Sequence, residues 1–218
     1  ESDKFLKDFM NETFKADIYY GDNPSDINDI DSLIANISKY GLLVIEHPAL
    51  TSSDYNDIKD ELNNFTSTGG VFMISGELST AQGKELVGAD FFKKSGQATT
   101  DKNSTVNNTD EYLSLAIGEN IVFAQAYYVE NKSGATGFKQ IATFNKDGKN
   151  ALSRWSYGNG TVYFFSDFDV SAFGGDFVYL VEDVSSGFAG SYCNPINFTA
   201  ISPKHLAKAE RYLIYSSK

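Results

Sequence analysis

Residues 41–77 read GLLVIEHPALTSSDYNDIKDELNNFTSTGGVFMISGE. Leu42, Leu43, Val44 and Ile45 form an unbroken apolar run of strand length, the pattern of a strand covered on both faces, and Pro48 closes it. Ser52 or Ser53 is placed to cap a helix, with Asp54 and Asp57 near its positive N-terminal end. Tyr55, Ile58, Leu62 and Phe65 recur at spacings of three and four, which gives the helix one apolar face and leaves Asp57, Lys59, Asp60, Asn63 and Asn64 to water. Gly69 or Gly70 can take the left-handed conformation that ends it. Residues 71–74 are then a second buried strand, running into Ser75, Gly76 and Glu77. Strand, crossover helix and parallel strand make a βαβ unit, right-handed by the general rule. A tight turn after such a strand is where α/β hydrolytic folds place a nucleophile, and this turn holds no cysteine.

Working outward, the same layered pattern extends over residues 1–218 as one domain. Phe5, Leu6, Phe9, Met10 and Phe14 have helical spacing, so a leading helix is predicted over 1–15. Residues 16–20 read as a short strand, and Ile27, Ile30, Leu33, Ile34 and Ile37 mark a helix entered near Asn23, Pro24 and Ser25. Residues 78–87 read as a further helix interrupted by Gly83, and 93–111, rich in Lys, Ser, Thr, Asn and Asp, as a loop or insertion. From 121 onward strands dominate, at 121–129, 140–144, 151–157 and 161–166, the last two forming a hairpin around Gly158, Asn159 and Gly160. A C-terminal helix is predicted over 203–215, with Leu206, Ala209 and Leu213 inward.

A chain of 218 residues with 41% apolar and 14% aromatic residues has enough apolar surface for a sizeable core. Its net charge of -11 excludes nucleic acid and anionic membrane surfaces as partners, because both would repel it. No run approaches the roughly 20 apolar residues a membrane span needs. The start at Glu1 rather than a methionine reads as a trimmed ectodomain or processed product, with a membrane anchor preceding the leading helix as one possibility. Sequons of the form Asn-X-Ser/Thr stand at Asn11, Asn36, Asn64, Asn103, Asn107, Asn131, Asn159 and Asn197. With 17 asparagines and 36 serines plus threonines in 218 residues, chance would place about three. The excess points to a glycosylated, extracellular surface, and the 16 lysines against 2 arginines fit an archaeal cell-surface protein. Cys193 is alone, which excludes an internal disulfide, a thiolate metal site and a redox pair.

The strand-helix order, LLVIEHP (42–48) followed by a helix and TGGVFMIS (68–75), and the later ALSRWSYGNGTVYFFSDFD (151–169) together resemble the class I glutamine amidotransferase-like superfamily. The likeness covers residues 15–185 and is to the non-amidotransferase branches, in which a GxGxVxxxSD stretch forms a late hairpin and strand. It implies a flavodoxin-like, three-layer α/β sandwich with a mainly parallel central sheet, its ligands gathered at the carboxyl ends of the strands. Catalytic members carry a cysteine in the turn after the third strand and a histidine with a carboxylate near the last. Here the turn reads Ile74, Ser75, Gly76, Glu77, the late strand ends at Ser166, Asp167, Phe168 and Asp169, and the histidines are His47 and His205.

Two readings follow. In the first, the chain is a non-catalytic extracellular domain with a structural, assembly or ligand-binding role, its partners being other surface-protein domains or a small ligand, and no cofactor is expected. In the second, Asp22, Glu46, His47, Ser75, Glu77, Asp167 and Asp169 line one crevice at the strand ends. Ser75 with His47 as base and Glu46 or Glu77 as orienting carboxylate then has the composition of a hydrolytic triad. Within that second reading, Asp167, Asp169 and Asp176 are the alternative, an acidic metal cluster. The run Asp26, Asn28, Asp29, Asp31 lacks the glycine and terminal glutamate of a calcium loop and reads as helix N-terminal acids.

Overall fold

The computed structural model describes residues 16–19, 35, 37–46, 52–76, 84–93, 102–123, 125–166, 198–201 and 213–217. Its strands are β1 (Ala16–Tyr19), β2 (Tyr40–Glu46), β3 (Val71–Ser75), β4 (Lys84–Leu86), β5 (Ala89–Lys93), β6 (Asn103–Val106) and β7 (Asn120–Val122), followed by β8 (Tyr127–Asn131), β9 (Ala135–Phe144), β10 (Asn150–Tyr157), β11 (Gly160–Phe165), β12 (Phe198–Ile201) and β13 (Leu213–Ser217). All join one sheet in the order β1-β12-β13-β2-β3-β11-β10-β8-β5-β4, with β9 also on β10, β6 on β9 and β7 on β6. Helix α1 (Ser52–Ser67) crosses from β2 to β3.

The opening segment folds as its pattern dictates. The strands β2 and β3 are parallel neighbours, Leu42 opposite Val71 and Glu46 opposite Ser75. Tyr55, Ile58, Leu62 and Phe65 of α1 are buried against Leu43, Phe72, Ile74, Val162, Phe164 and Trp155, each apolar side chain contributing about 2 kcal/mol of burial. The helix ends in a Schellman motif: the Gly70 N–H donates to the Phe65 carbonyl, the Gly69 N–H to that of Thr66, and Gly69 takes φ +115°. Strands β10 and β11 form the expected hairpin, Tyr157 opposite Gly160, and β11 runs parallel to β3 with Thr161 opposite Val71 and Phe165 opposite Ser75. Gly158, at φ +59°, opens the two-residue turn as a type II′ turn requires. This turn packs on the end of α1, where the Asn159 N–H donates to the Ser67 carbonyl and the Thr161 N–H to that of Gly70.

The expectation of a flavodoxin-like sandwich with a mainly parallel sheet is overturned. Among the described residues the fold is strand-rich, with a mixed, curled sheet and one long helix. Among the described strands only β1–β12, β2–β3 and β3–β11 pair in parallel. Among the described residues after β3, sequential strands pair as antiparallel hairpins, as at β4–β5, where Leu86 lies opposite Ala89 across Val87 and Gly88, and at β10–β11. The face of β10–β11 away from α1 is met by residues 110–112, in the segment that follows strand β6, where a flavodoxin-like fold would place helices.

Local corrections follow the same logic. The helix predicted over 78–87 gives way to β4 and the Val87–Gly88 turn over its described part. Val87 holds φ +45° because its side chain is buried, its N–H donates to Asn63 Oδ1 (2.8 Å), and its carbonyl accepts from Trp155 Nε1 (2.7 Å). The loop expected over 93–111 contains β6, whose Ser104 and Val106 are both fully buried. The strand expected over 121–129 is split into β7 and β8. The end of the helix predicted over 203–215 is instead β13, an antiparallel strand between β12 and β2; the Leu-Ile-Tyr run that starts it suits a strand as well as a helix. The leading helix over 1–15, the remainder of 203–215 and the glycine-rich 174–190 lie outside the described residues, as does the helix expected over 27–37 apart from Ala35, which is helical, and Ile37, which starts a 3-10 turn.

Candidate functional site

The carboxyl ends of the parallel strands meet where the crevice was expected. Register puts Glu46, Ser75 and Phe165 side by side at the ends of β2, β3 and β11. Ser75 is fully buried, and its hydroxyl donates to the carbonyl of Ser166 at 2.9 Å. One residue on, Gly76 adopts φ +82° and its N–H donates to the Phe165 carbonyl at 3.1 Å. Ser166, also fully buried, continues the seam: its N–H donates to the Ala151 carbonyl, its hydroxyl donates to the Gln125 carbonyl and accepts from the Tyr127 N–H at 2.9 Å. The Ser75 hydroxyl thus ties the end of β3 to the residue after β11, the Ser166 hydroxyl ties that residue to the start of β8, and the Ser166 N–H ties it to β10.

This arrangement answers what Ser75 can do chemically. A serine nucleophile hands its proton to a base within about 2.6–3.2 Å and attacks a substrate that can reach it. The Ser75 proton is directed at a main-chain carbonyl, a group that cannot act as a base, and the hydroxyl has no exposed surface. Of the other residues expected in the crevice, Glu46 is placed by its backbone beside Ser75. Asp22, His47, Glu77, Asp167, Asp169 and the metal alternative Asp176 lie outside the described residues, as does Cys193. Among the described residues no group of three His, Cys, Asp or Glu is arranged to hold a metal ion.

A second polar cluster was not anticipated. The Asp110 side chain is buried against β10 and β11, where Oδ1 accepts from the Tyr163 hydroxyl (2.9 Å) and the Tyr112 N–H (3.1 Å), and Oδ2 faces Arg154 Nη1 at 3.3 Å. Arg154 also meets Glu111 Oε1 at 2.5 Å and lies over the rings of Tyr112 and Tyr163. Burial first, and then the Asp110 carboxylate, push the Tyr163 phenol far above its ordinary range, so it stays a donor. An arginine facing two carboxylates offers no free charge to an anionic ligand; the cluster pins the 107–119 segment to β10 and β11. Its signal in the sequence was Arg154 itself, one of 2 arginines, standing inside a strand otherwise suited to burial.

The sequons divide by environment. Asn64 on α1, Asn107 after β6, Asn131 at the end of β8 and Asn159 in the β10–β11 turn are exposed, and Asn103 in β6 is half-buried. Asn11, Asn36 and Asn197 lie outside the described residues. Among the described residues no helix is long and apolar enough to cross a membrane.

No family model matches the chain, and no curated protein sequence matches it. Solved structures do show likenesses of backbone course. They include a β-galactosidase from Rahnella sp. R3 (15% identity, TM-score 0.46, over 74% of this chain and 25% of that one) and a β-galactosidase from Bacillus circulans sp. alkalophilus (14%, 0.45, 83% and 33%). A third is the cytoplasmic protein STM3548 from Salmonella typhimurium (14%, 0.49, 75% and 74%). The chain therefore spans between a quarter and a third of the length of these two galactosidases.

Proposed function

We propose that this chain is a non-catalytic domain of a cell-surface protein, with a structural or assembly role, related to the non-amidotransferase branches of the glutamine amidotransferase-like superfamily. The observation that carries the reading is the Ser75 hydroxyl, fully buried and bonded to the Ser166 carbonyl in the turn where a nucleophile would stand. Support for the kinship comes from the β2–α1–β3 unit and from the late hairpin delivering β11 in parallel to β3. Support for the outer surface comes from the excess of sequons and from the exposure of Asn131 and Asn159.

A fluorophosphonate probe, which labels activated serines, tests the non-catalytic reading directly. Incubation of the folded protein, followed by peptide mapping, is expected to leave Ser75 unmodified at a probe concentration that labels a serine hydrolase fully. Stoichiometric labelling of Ser75, absent after heat denaturation, would overturn the proposal.

A further inference from the structure

We infer that the chain carries N-linked sugar at Asn131 and Asn159, on adjacent turns at one end of the sheet, and that Asn64, Asn103 and Asn107 stay bare; the inference rests on the cell-surface reading above. The acceptor motif contains both an asparagine amide and a hydroxyl two residues on, so a transferase acting on the folded chain has to reach both. Asn103 fails because it is half-buried within β6 and the Thr105 hydroxyl is held between the Asn120 and Asn145 amide oxygens at 3.2 and 2.7 Å. Asn107 fails because its Nδ2, the atom to be modified, donates to Thr143 Oγ1 at 2.6 Å. Asn64 is exposed, but its partner Thr66 is fully buried with its hydroxyl donating to the Leu62 carbonyl at 2.8 Å, and Phe65 between them is part of the core.

Asn131 and Asn159 meet the requirement. The Asn131 side chain is exposed where β8 gives way to the turn into β9, and its partner Ser133 is exposed in that turn. Asn159 is exposed at the tip of a two-residue turn whose main chain is fixed by the bond from its own N–H to Ser67, so the amide projects from an anchored backbone, and Thr161 is half-exposed. The two turns are neighbours, since Tyr157 pairs with Ala135 and a Cβ built on Gly134 would lie 3.3 Å from the Tyr157 ring. In the transfer step Nδ2 loses a proton and forms a bond to the anomeric carbon of a sugar. That carbon's bond to the phosphate of a lipid-linked oligosaccharide donor breaks, and the lipid phosphate departs with the bonding pair.

The test is site-by-site occupancy, by mass spectrometry of glycopeptides from protein isolated from its own cells, beside Asn131→Gln and Asn159→Gln variants. The expected result is sugar at both sites, loss of one glycan mass from each variant, and unmodified peptides at Asn64, Asn103 and Asn107. Sugar at Asn64, Asn103 or Asn107, or at other sequons while Asn131 and Asn159 are bare, overturns the inference and leaves the surface reading intact. Bare asparagines at all eight sequons overturn both.

Discussion

Replacing Gly160 with alanine tests whether the β10–β11 turn is docked on the end of α1 by main-chain contact. Gly160 has no left-handed backbone, so alanine brings no conformational strain of its own. A Cβ there would instead overlap the carbonyl oxygens of Thr66 and Gly70 and come within 2.9 Å of the Thr66 carbonyl carbon. These are backbone atoms at a helix terminus, which cannot swing aside as a side chain would. The turn has to back away, at an overpacking cost of about 1–3 kcal/mol. Backing away also stretches the Asn159-to-Ser67 and Thr161-to-Gly70 hydrogen bonds, 2.9 and 3.3 Å long, each contributing about 1 kcal/mol. The sum is a loss of about 3–5 kcal/mol, a large part of a typical domain stability of about 5–15 kcal/mol. Gly137→Ala is the control: φ there is +61° with nothing within 4 Å, so it carries only the left-handed penalty of about 1–2 kcal/mol. Urea unfolding followed by fluorescence of Trp155, the only tryptophan and fully buried in β10, reads both variants. If Gly160→Ala costs no more than Gly137→Ala, the turn is not seated on the helix as described and the reasoning fails.

Four further outcomes follow from the same contacts. Ser75→Ala is expected to lower stability by about 1–2 kcal/mol by stripping the Ser166 carbonyl of its buried donor, measured by the same unfolding assay; a neutral effect would refute the seam. Asp110→Ala removes the partner of the Tyr163 hydroxyl and one of the two carboxylates on Arg154, and should cost about 3 kcal/mol or more, with earlier protease cleavage within 107–119 as an independent readout. Ser153→Ala should gain about 1 kcal/mol in thermal denaturation, because that hydroxyl is fully buried with no hydrogen-bond partner. Burial, and then the Glu85, Asp90 and Asp60 carboxylates, push the Tyr55 phenol from 10.0 to about 12. The folded state therefore holds that proton more tightly than the unfolded one, and the contribution, complete below pH 10, is lost as pH rises from 10 to 12, roughly 2 kcal/mol in all. Tyr55→Phe should be the less stable protein at pH 9 and close on wild type by pH 11.5; a constant difference across that range would refute the linkage.

The parts of the fold legible in the sequence were those whose partners lie close along the chain. Leu42 to Ile45, the stripe from Tyr55 to Phe65 and the paired glycines at 69 and 70 specify strand, helix and stop by local pattern, and all three formed. The β10–β11 hairpin was equally visible, because a glycine turn between two β-prone runs needs no distant information. What stayed hidden depends on partners far away. Residues 213–217 carry a Leu-Ile-Tyr run compatible with helix or strand, and the slot beside β2 decides for strand. Residues 103–106 look like loop by composition, yet β9, about forty residues on, captures them as β6. The same holds for chemistry: Ser75 is conspicuous in sequence, but its fate is set by a carbonyl 91 residues on, and nothing local connects Asp110 with Arg154 and Tyr163.

Strand ends in such a sheet leave main-chain groups that must find partners, and among the described residues the two ends of the β3–β11 pair meet that requirement differently. At the end where β3 and β11 stop, the Phe165 and Ser166 carbonyls would face the interior without donors once the ladder ends. The Gly76 N–H supplies one and the Ser75 hydroxyl the other, and the Ser166 hydroxyl performs the same service for Gln125 and Tyr127. A hydroxyl recruited to complete the backbone inventory is no longer available to give up its proton to a base. At the opposite end the helix carbonyls are met by the main chain of the β10–β11 turn itself, so Asn159 satisfies the fold through its backbone and leaves its side-chain amide uncommitted. Reactive groups at this domain's surface are therefore to be sought where main chain, not side chain, closes the structure.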